Sequence, residues 1–170
     1  VAVGRWAGGT LGGEFYGGSF TFPEDDGFHY GVVAKPQDTG VIGLDGTYSS
    51  AWATAATISD ASLSPGVVTA EAVVTAGENV MVALQISVDQ GGETMTLTTP
   101  GYPDPAVATT NTYLGQISGP VDISGGPYCS DGGCTGYLRG IFADDGELLV
   151  LAWQASKTER ISGVVLLEAP

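Results

Sequence analysis

NVMVALQISVDQGGETMTLTT, residues 79–99, is the stretch of this sequence with the clearest secondary-structure pattern. In its first half every second residue is apolar, namely Val80, Val82, Leu84, Ile86 and Val88. After the turn signal at residues 89–92, Met95 and Leu97 alternate with threonine. A period of two places these apolar side chains on one face of an extended chain. The stretch therefore predicts two strands joined by a tight turn, each with one face in the core.

The same alternation recurs along the chain and gives about ten candidate strands. Those outside the opening stretch cover residues 13–22, 28–34, 46–55, 67–75, 112–119, 135–142, 146–156 and 160–168. Turn signals rich in Gly, Asp, Asn and Pro separate them at short intervals. This spacing predicts one all-β domain over residues 1–170, an antiparallel up-and-down β-barrel of about eight strands, with a β-sandwich as the alternative.

Two local features bear on this architecture. The loop TTPGYPDPAVATTN, residues 98–111, contains three prolines and is the best place to divide the strands into an early and a late group. Gly136, Gly140 and Gly163 lie within predicted strands. We expect them at bulges or sharp barrel bends where a side chain would clash.

Charge limits the classes of partner. Five Lys and Arg residues stand against 19 Asp and Glu residues, so the net charge is −14 at pH 7. Such a surface repels phosphate backbones and anionic lipids, which makes nucleic-acid and membrane-surface partners unfavourable. No apolar run is long enough for a membrane helix, and we expect no membrane insertion. High Gly and Thr, low Lys and many acids suit an extracellular, cell-surface or periplasmic protein.

Cys129 and Cys134 are five positions apart across a Gly-rich turn. In an oxidising compartment this spacing favours a hairpin disulfide that adds only modest stability. Free thiols remain an alternative. A metal pair is a third alternative, but it needs two more ligands, and only His29 and scattered carboxylates are at hand.

Catalytic motifs are weak, and we predict no enzyme, no catalytic residue and no dedicated metal site. A hydrolytic triad would have to use His29, the only histidine, and no Gly-x-Ser-x-Gly elbow is present. The carboxylates Asp25-Asp26 and Asp144-Asp145 fit turns better than acid and base pairs, since Asp tolerates the positive φ of tight turns. A weak surface calcium remains open, but neither run has the spacing of a calcium loop.

Aromatic and cationic residues in strands are the remaining candidates for binding. The candidate ligand-binding residues are Trp6, His29, Tyr30, Trp52, Trp153 and Arg139. Most of these aromatic side chains are more simply interpreted as part of the hydrophobic core. We expect Arg5 and Arg139 to pair with carboxylates inside or at the mouth of the barrel, because an unpaired buried charge is unfavourable.

His29 carries the only imidazole of the chain. In the strand FHYGVV, residues 28–33, Phe28 and Tyr30 share one face and His29 lies on the other, towards Trp6 or Arg5 if those strands are neighbours. We interpret His29 as a structural strand residue. Haem ligation is the alternative, because one imidazole in an apolar cavity is the minimum that such a site needs.

Four segments carry a resemblance to a known family. They are VGRWAGG (3–9), FHYGVVAKP (28–36), residues 63–88, and YCSDGGCTGYLRGIFADDGELLVLAWQASKTERISGVVLLE (128–168). Together they resemble the β-barrel domain at the C-terminus of many bacterial FecR-domain proteins, which looks related to the barrel lobes of transferrin-binding protein B. The family pattern pairs a Gly-Arg-Trp strand with a later His-Tyr strand, matched here by residues 4–6 and 29–30. After Phe142 this chain departs from the pattern, and it contains no FecR domain.

The resemblance implies an exported barrel of a Gram-negative bacterium that binds or presents a ligand or protein partner, with iron or haem acquisition as the family-level association. Fold analogy alone is a weak basis for naming a ligand. Two alternatives stay open: a self-associating structural subunit of an extracellular fibre or layer, and a lipocalin-like carrier of a small hydrophobic ligand. An enzyme that uses Asp25, Asp26 or Asp145 is the least favoured.

Overall fold

A computed structural model describes residues 1–6, 9–13, 18–22, 28–32, 45–58, 65–75, 80–104, 109–111, 116–129 and 132–170. Its strands are β1 (Ala2–Trp6), β2 (Gly9–Gly13), β3 (Gly18–Phe22), β4 (Phe28–Val32), β5 (Gly46–Ala53), β6 (Thr57–Ile58), β7 (Val67–Thr75), β8 (Met81–Gln90), β9 (Glu93–Thr98), β10 (Thr109–Asn111), β11 (Gln116–Gly125), β12 (Thr135–Ala143), β13 (Leu148–Ser156) and β14 (Arg160–Glu168). A short helix, α1 (Gly126–Cys129), follows β11, and a 3-10 turn (Asp144–Gly146) joins β12 to β13.

Eight of these strands close into an up-and-down barrel. The order is β5, β7, β8, β9, β11, β12, β13 and β14, each antiparallel to the next, and β14 pairs back with β5. The predicted barrel of about eight strands is therefore confirmed, and the strands do not separate into the two sheets of a sandwich. The loop after β9 does not divide them, because β9 and β11 pair with each other across it.

The barrel interior is filled by side chains that alternate along each strand. On β13, Leu149, Leu151, Trp153 and Ala155 are all buried, as the period-two pattern predicts. Across the interior, the rings of Tyr48 and Phe142 meet edge to face with centroids 6.0 Å apart. These contacts make the barrel a packed core.

Three glycines in the barrel strands leave space for neighbouring side chains of the core. A Cβ on Gly163 would lie 2.8 Å from Cζ2 of Trp153, which crosses β14 there. A Cβ on Gly136 would overlap Val121, and one on Gly140 would overlap Leu151. The expectation that side chains would clash at these positions is confirmed.

Each end of the barrel is covered by its own connection. At one end α1 packs against β8, β9 and β11, and Cys129 forms a disulfide with Cys134, with a Cα–Cα distance of 5.7 Å. At the other end the buried hydroxyl of Tyr48 donates a hydrogen bond to the carbonyl oxygen of Gly146, at 2.6 Å. The disulfide prediction is thus confirmed over free thiols and a metal pair.

The N-terminal strands form two further antiparallel pairs, β1 with β4 and β2 with β3. The β1–β4 ribbon lies on the outside of the barrel, where β4 contacts β13 and β14. Gly31 of β4 faces Val150 and Val164, whose side chains point outward yet are buried. The ribbon therefore covers an apolar patch of the barrel wall. In the described part of the chain, no helix is both long and apolar enough to cross a membrane.

Candidate binding groove

Strand register places two rows of outward-facing side chains across β12, β13 and β14. In the first row Tyr137 is opposite Gln154, which is opposite Ser162. In the second row Arg139 is opposite Ala152. Because neighbouring strands are about 4.8 Å apart, the first row spans roughly 10 Å. Together the two rows make a strip with Gln154 and Ala152 at its centre and the larger side chains of Tyr137 and Arg139 along its β12 side.

The ribbon turns this strip into a groove, which we call the outer groove. Its volume is about 500 Å³, and its lining residues are His29, Tyr137, Arg139, Ala152, Trp153, Gln154, Arg160, Ser162 and Gly163. A second depression of about 590 Å³ shares Tyr137, Arg139 and Ala152 with it and continues along β12 past Gly31. These volumes are in the range of small-molecule sites, about 300–1,000 Å³.

His29 fastens the ribbon to the barrel beside this groove. Its Nδ1 lies 2.8 Å from Oγ1 of Thr54, and its Nε2 lies 2.6 Å from Oγ1 of Thr57. Thr54 in turn accepts a hydrogen bond from the backbone N–H of Val164 on β14. A neutral imidazole suits this position, because one ring nitrogen donates and the other accepts. His29 thus links three segments of the chain through side-chain hydrogen bonds.

The electrostatic surroundings also favour the neutral form of His29. Burial lowers the pKa of His29 from 6.5 to about 4, and the positive charges of Arg5 and Arg160 act in the same direction. Arg5 is directly opposite His29 in the β1–β4 ribbon, as expected if the two strands were neighbours. The imidazole is consequently uncharged at neutral pH.

Positive charge is concentrated at the outer groove. Arg139 and Arg160 line it, and the charge of Arg5 acts on His29 at its side, so three of the chain's five Lys and Arg residues gather there. The guanidinium carbon of Arg139 lies 5.8 Å from the ring centroid of Tyr137, a cation–π contact. Most of the cationic side chains of a chain with net charge −14 therefore lie at or beside this groove.

The predicted binding residues are distributed over both faces of the barrel wall. His29 and Arg139 line the outer groove. The expectation that Arg139 pairs with a carboxylate inside or at the mouth of the barrel was wrong, because its position on β12 faces outward and its side chain is exposed. Trp153 also belongs to the groove lining, but it is only 3% exposed because its side chain packs in the barrel interior. The side chains of Trp6 and Tyr30 lie outside the described part of the structure.

Trp52 faces outward because of a β-bulge. The register between β14 and β5 shifts so that Leu167 is opposite Ser50 while Leu166 is opposite Trp52. The extra residue, Ala51, reverses the alternation, so Trp52 lies on the outer side and is 44% exposed. Trp52 is not among the residues that line the outer groove.

Sequence reasoning did not propose Tyr137, Gln154, Arg160 or Ser162 as site residues. One signal was present: Tyr137 has the same parity as Arg139 on its strand, so the two share a face. Nothing local connects β12 with Arg160 or with the His29 strand, since that proximity depends on barrel closure and on ribbon docking.

In the described ranges, no three His, Cys, Asp or Glu side chains lie together in a way that could hold a metal ion. Asp144 and Asp145 have φ values of 50° and 58° in the turn after β12, which agrees with the turn interpretation. Asp25 and Asp26 lie outside the described residues.

Comparison of the chain with protein-family models, with curated proteins and with solved structures finds no match. Membership of the FecR-associated barrel family stays a prediction.

Proposed function

We propose that this chain is a non-enzymatic binding module of an exported protein, and that its ligand binds in the outer groove. The observation that carries the proposal is the groove itself: a concave site on the barrel wall that combines two arginines, an exposed tyrosine and polar side chains. Such convergence of polar groups in a depression of this size is typical of ligand sites. The disulfide supports an oxidising compartment, whether periplasm or cell exterior.

The packed interior favours the outer wall over a lipocalin-like cavity as the binding surface. A hydrophobic carrier needs an empty space between the side chains of its interior. Here large interior side chains are fully buried, among them Tyr48, Leu84, Phe142 and Leu151. A barrel of eight strands is just wide enough for its side chains to fill it. A hydrophobic ligand inside would therefore require repacking of the core.

Pairing of the barrel strands favours a binding module over a fibre subunit. Each of the eight barrel strands has a hydrogen-bonded partner on both sides. Edge-to-edge assembly uses unpaired strand edges, and a closed barrel removes them. Side-by-side addition of copies at these strands is consequently disfavoured.

The state of His29 supports a binding role rather than catalysis or haem ligation. A general base needs a pKa near the working pH and a free nitrogen aimed at the substrate. His29 has a pKa of about 4, and both of its nitrogens contact threonine hydroxyls. Haem iron would have to displace one of these hydroxyls.

An Ala152→Trp substitution tests the location of the site. Ala152 is exposed on the groove floor, so an indole there fills the groove without entering the core. The test is a panel screen of saccharides, peptides, fatty acids and haem by native mass spectrometry, followed by affinity measurements with every compound that binds. We expect Ala152→Trp to weaken that binding at least tenfold.

The matched control is Glu71→Trp, which adds the same indole at an exposed outward position of β7, outside the outer groove. It should leave affinity within about twofold. Binding that survives Ala152→Trp unchanged would move the site away from the groove and contradict the proposal. Circular dichroism establishes that both variants keep the β-sheet signal.

A further inference from the structure

We infer that the outer groove binds a saccharide that carries an isolated carboxylate, such as a uronic acid unit in an otherwise neutral glycan. This inference rests on the proposed function, because it names the ligand class of the same groove. The juxtaposition that carries it is Arg139 and Tyr137 on one strand beside the polar pair Gln154 and Ser162 on the next two.

Arg139 supplies the recognition of the carboxylate. Its side chain is exposed, and within the described residues its contact is with the ring of Tyr137 rather than with an acid. A guanidinium offers two parallel N–H donors that match the two oxygens of a carboxylate. Arg160, on β14, is the second arginine that lines the groove.

The polar row supplies the recognition of a sugar ring. Tyr137 is 39% exposed and presents an aromatic face and a hydroxyl. The amide of Gln154 and the hydroxyl of Ser162 both donate and accept hydrogen bonds, which suits the vicinal hydroxyls of a pyranose. The row spans roughly 10 Å, the width of three neighbouring strands and enough for a short saccharide rather than a single small anion.

The rest of the molecule selects against the competing acidic ligands. A net charge of −14 repels a polyanion such as a nucleic acid or a fully charged polyuronate much more strongly than it repels a single carboxylate. One common mode of binding for an extended peptide is addition of a strand to a sheet edge. The barrel strands β12, β13 and β14 are paired on both sides, so they offer no edge for that mode.

The test is an NMR titration of the 15N-labelled protein with three probes: methyl β-D-glucuronide, methyl β-D-glucoside and N-acetylglutamate. The first carries ring and carboxylate, the second the ring alone, and the third a carboxylate without a ring. We expect saturable shifts of β12 and β13 amides with the glucuronide at up to roughly ten millimolar. The other two probes should bind at least tenfold more weakly.

Variants then assign the interaction to Arg139. We expect Arg139→Gln to weaken glucuronide binding at least tenfold, since a hydrogen bond to a charged group is lost. Arg139→Lys keeps the positive charge but loses the two parallel N–H donors of the guanidinium, so it should retain an intermediate affinity. Lys157→Gln removes the same charge outside the groove lining and should leave affinity within about twofold.

Several results would overturn the inference. If the glucoside binds as tightly as the glucuronide, the carboxylate plays no part in recognition. If N-acetylglutamate binds as tightly as the glucuronide, the sugar ring plays no part, and an acidic peptide becomes the better ligand class. Glucuronide shifts that persist in Arg139→Gln, or no saturable shift at all, would also contradict it. If another ligand from the panel is lost in Ala152→Trp while these probes fail, the binding groove stands and only its ligand class is wrong.

Discussion

His29 connects two parts of the chain that are distant in sequence. Its ring joins the N-terminal ribbon to Thr54 and Thr57, which lie more than twenty positions further along the chain. Both threonines are buried, so their hydroxyls require hydrogen-bond partners. Loss of the imidazole would remove the side-chain partner of the buried Thr57 hydroxyl, whereas the Thr54 hydroxyl would keep its hydrogen bonds to the backbone of Val164.

This arrangement makes the contribution of His29 dependent on pH. Its pKa is about 4 in the folded protein against 6.5 ordinarily, so between these values the unfolded chain binds more protons than the folded one. The free energy of unfolding therefore rises with pH through this window, and the contribution of His29 is complete only above about 6.5. In His29→Gln this dependence is absent.

We expect the stability difference between wild type and His29→Gln to be largest at pH 7 and to shrink towards pH 4.5. Urea denaturation of both proteins across this range measures it. Both proteins contain the same carboxylates, so the acid destabilisation that these carboxylates cause cancels when the two unfolding free energies are subtracted. A difference that stays constant with pH would show that His29 does not remain neutral in the fold.

Among the elements, α1 and its disulfide form a cap on one end of the barrel. Cys129 is buried while the adjoining turn through Gly132 and Gly133 is exposed. Both glycines have positive φ values, 77° and 82°, which the tight return to β12 requires. The bridge therefore ties a buried helix end to the start of the next strand.

Reduction of this disulfide should destabilise the protein moderately. The bridge spans a sequence separation of five, and a loop of that size corresponds to about 2 kcal/mol of unfolding free energy in the chain-entropy model. Urea denaturation with and without a phosphine reductant measures the change. The double variant Cys129→Ala/Cys134→Ala should be insensitive to reductant, and an equal response in that variant would show that the effect has another origin.

The β-bulge in β5 changes the position of several side chains around it. Beyond Ser49 the backbone ladder from β5 to β7 ends, and the Ser50 hydroxyl exchanges hydrogen bonds with the backbone of Ala70 in its place. β5 then continues along β14 to Thr54, the partner of His29. The bulge thus directs one tryptophan outward and delivers the threonine that anchors the ribbon.

For the whole molecule, close packing of the barrel limits which glycines can be replaced. A Cβ on Gly140 would overlap Leu151 and lie 2.8 Å from Cγ1 of Ile117, whereas a Cβ on Gly119 would meet no atom within 4 Å. Both glycines lie in barrel strands and both have ordinary φ angles, so the pair separates packing from backbone effects.

We expect Gly140→Ala to lower the free energy of unfolding by about 1–3 kcal/mol through overpacking. Gly119→Ala should change it by less than about 0.5 kcal/mol, as at an ordinary surface position. Chemical denaturation of the two variants and the wild type makes the comparison. Equal effects at both positions would show that the interior is not packed as tightly as the structure indicates.

The strands and turns of the barrel follow from local patterns in the chain. β7 and β14 begin and end where the alternation of apolar residues begins and ends, and the Asp-Asp-Gly turn lies where its residues tolerate positive φ. Burial of Leu149, Leu151 and Trp153 on one face was also readable, because a period of two is a property of any extended chain. Fold class, the number of barrel strands and the disulfide were accordingly predictable, whereas the total of fourteen described strands exceeds the ten or so predicted.

The groove was not predictable, because it depends on register between strands that are far apart in the chain. Barrel closure brings β14 against β5 and sets Ser162 beside Thr57, and docking of the ribbon brings His29 onto both threonines. A single inserted residue at Ala51 reverses which face Trp52 occupies. Periodicity reports which residues share a face of a strand, while the neighbours of that face follow only from how the strands and the ribbon pack together.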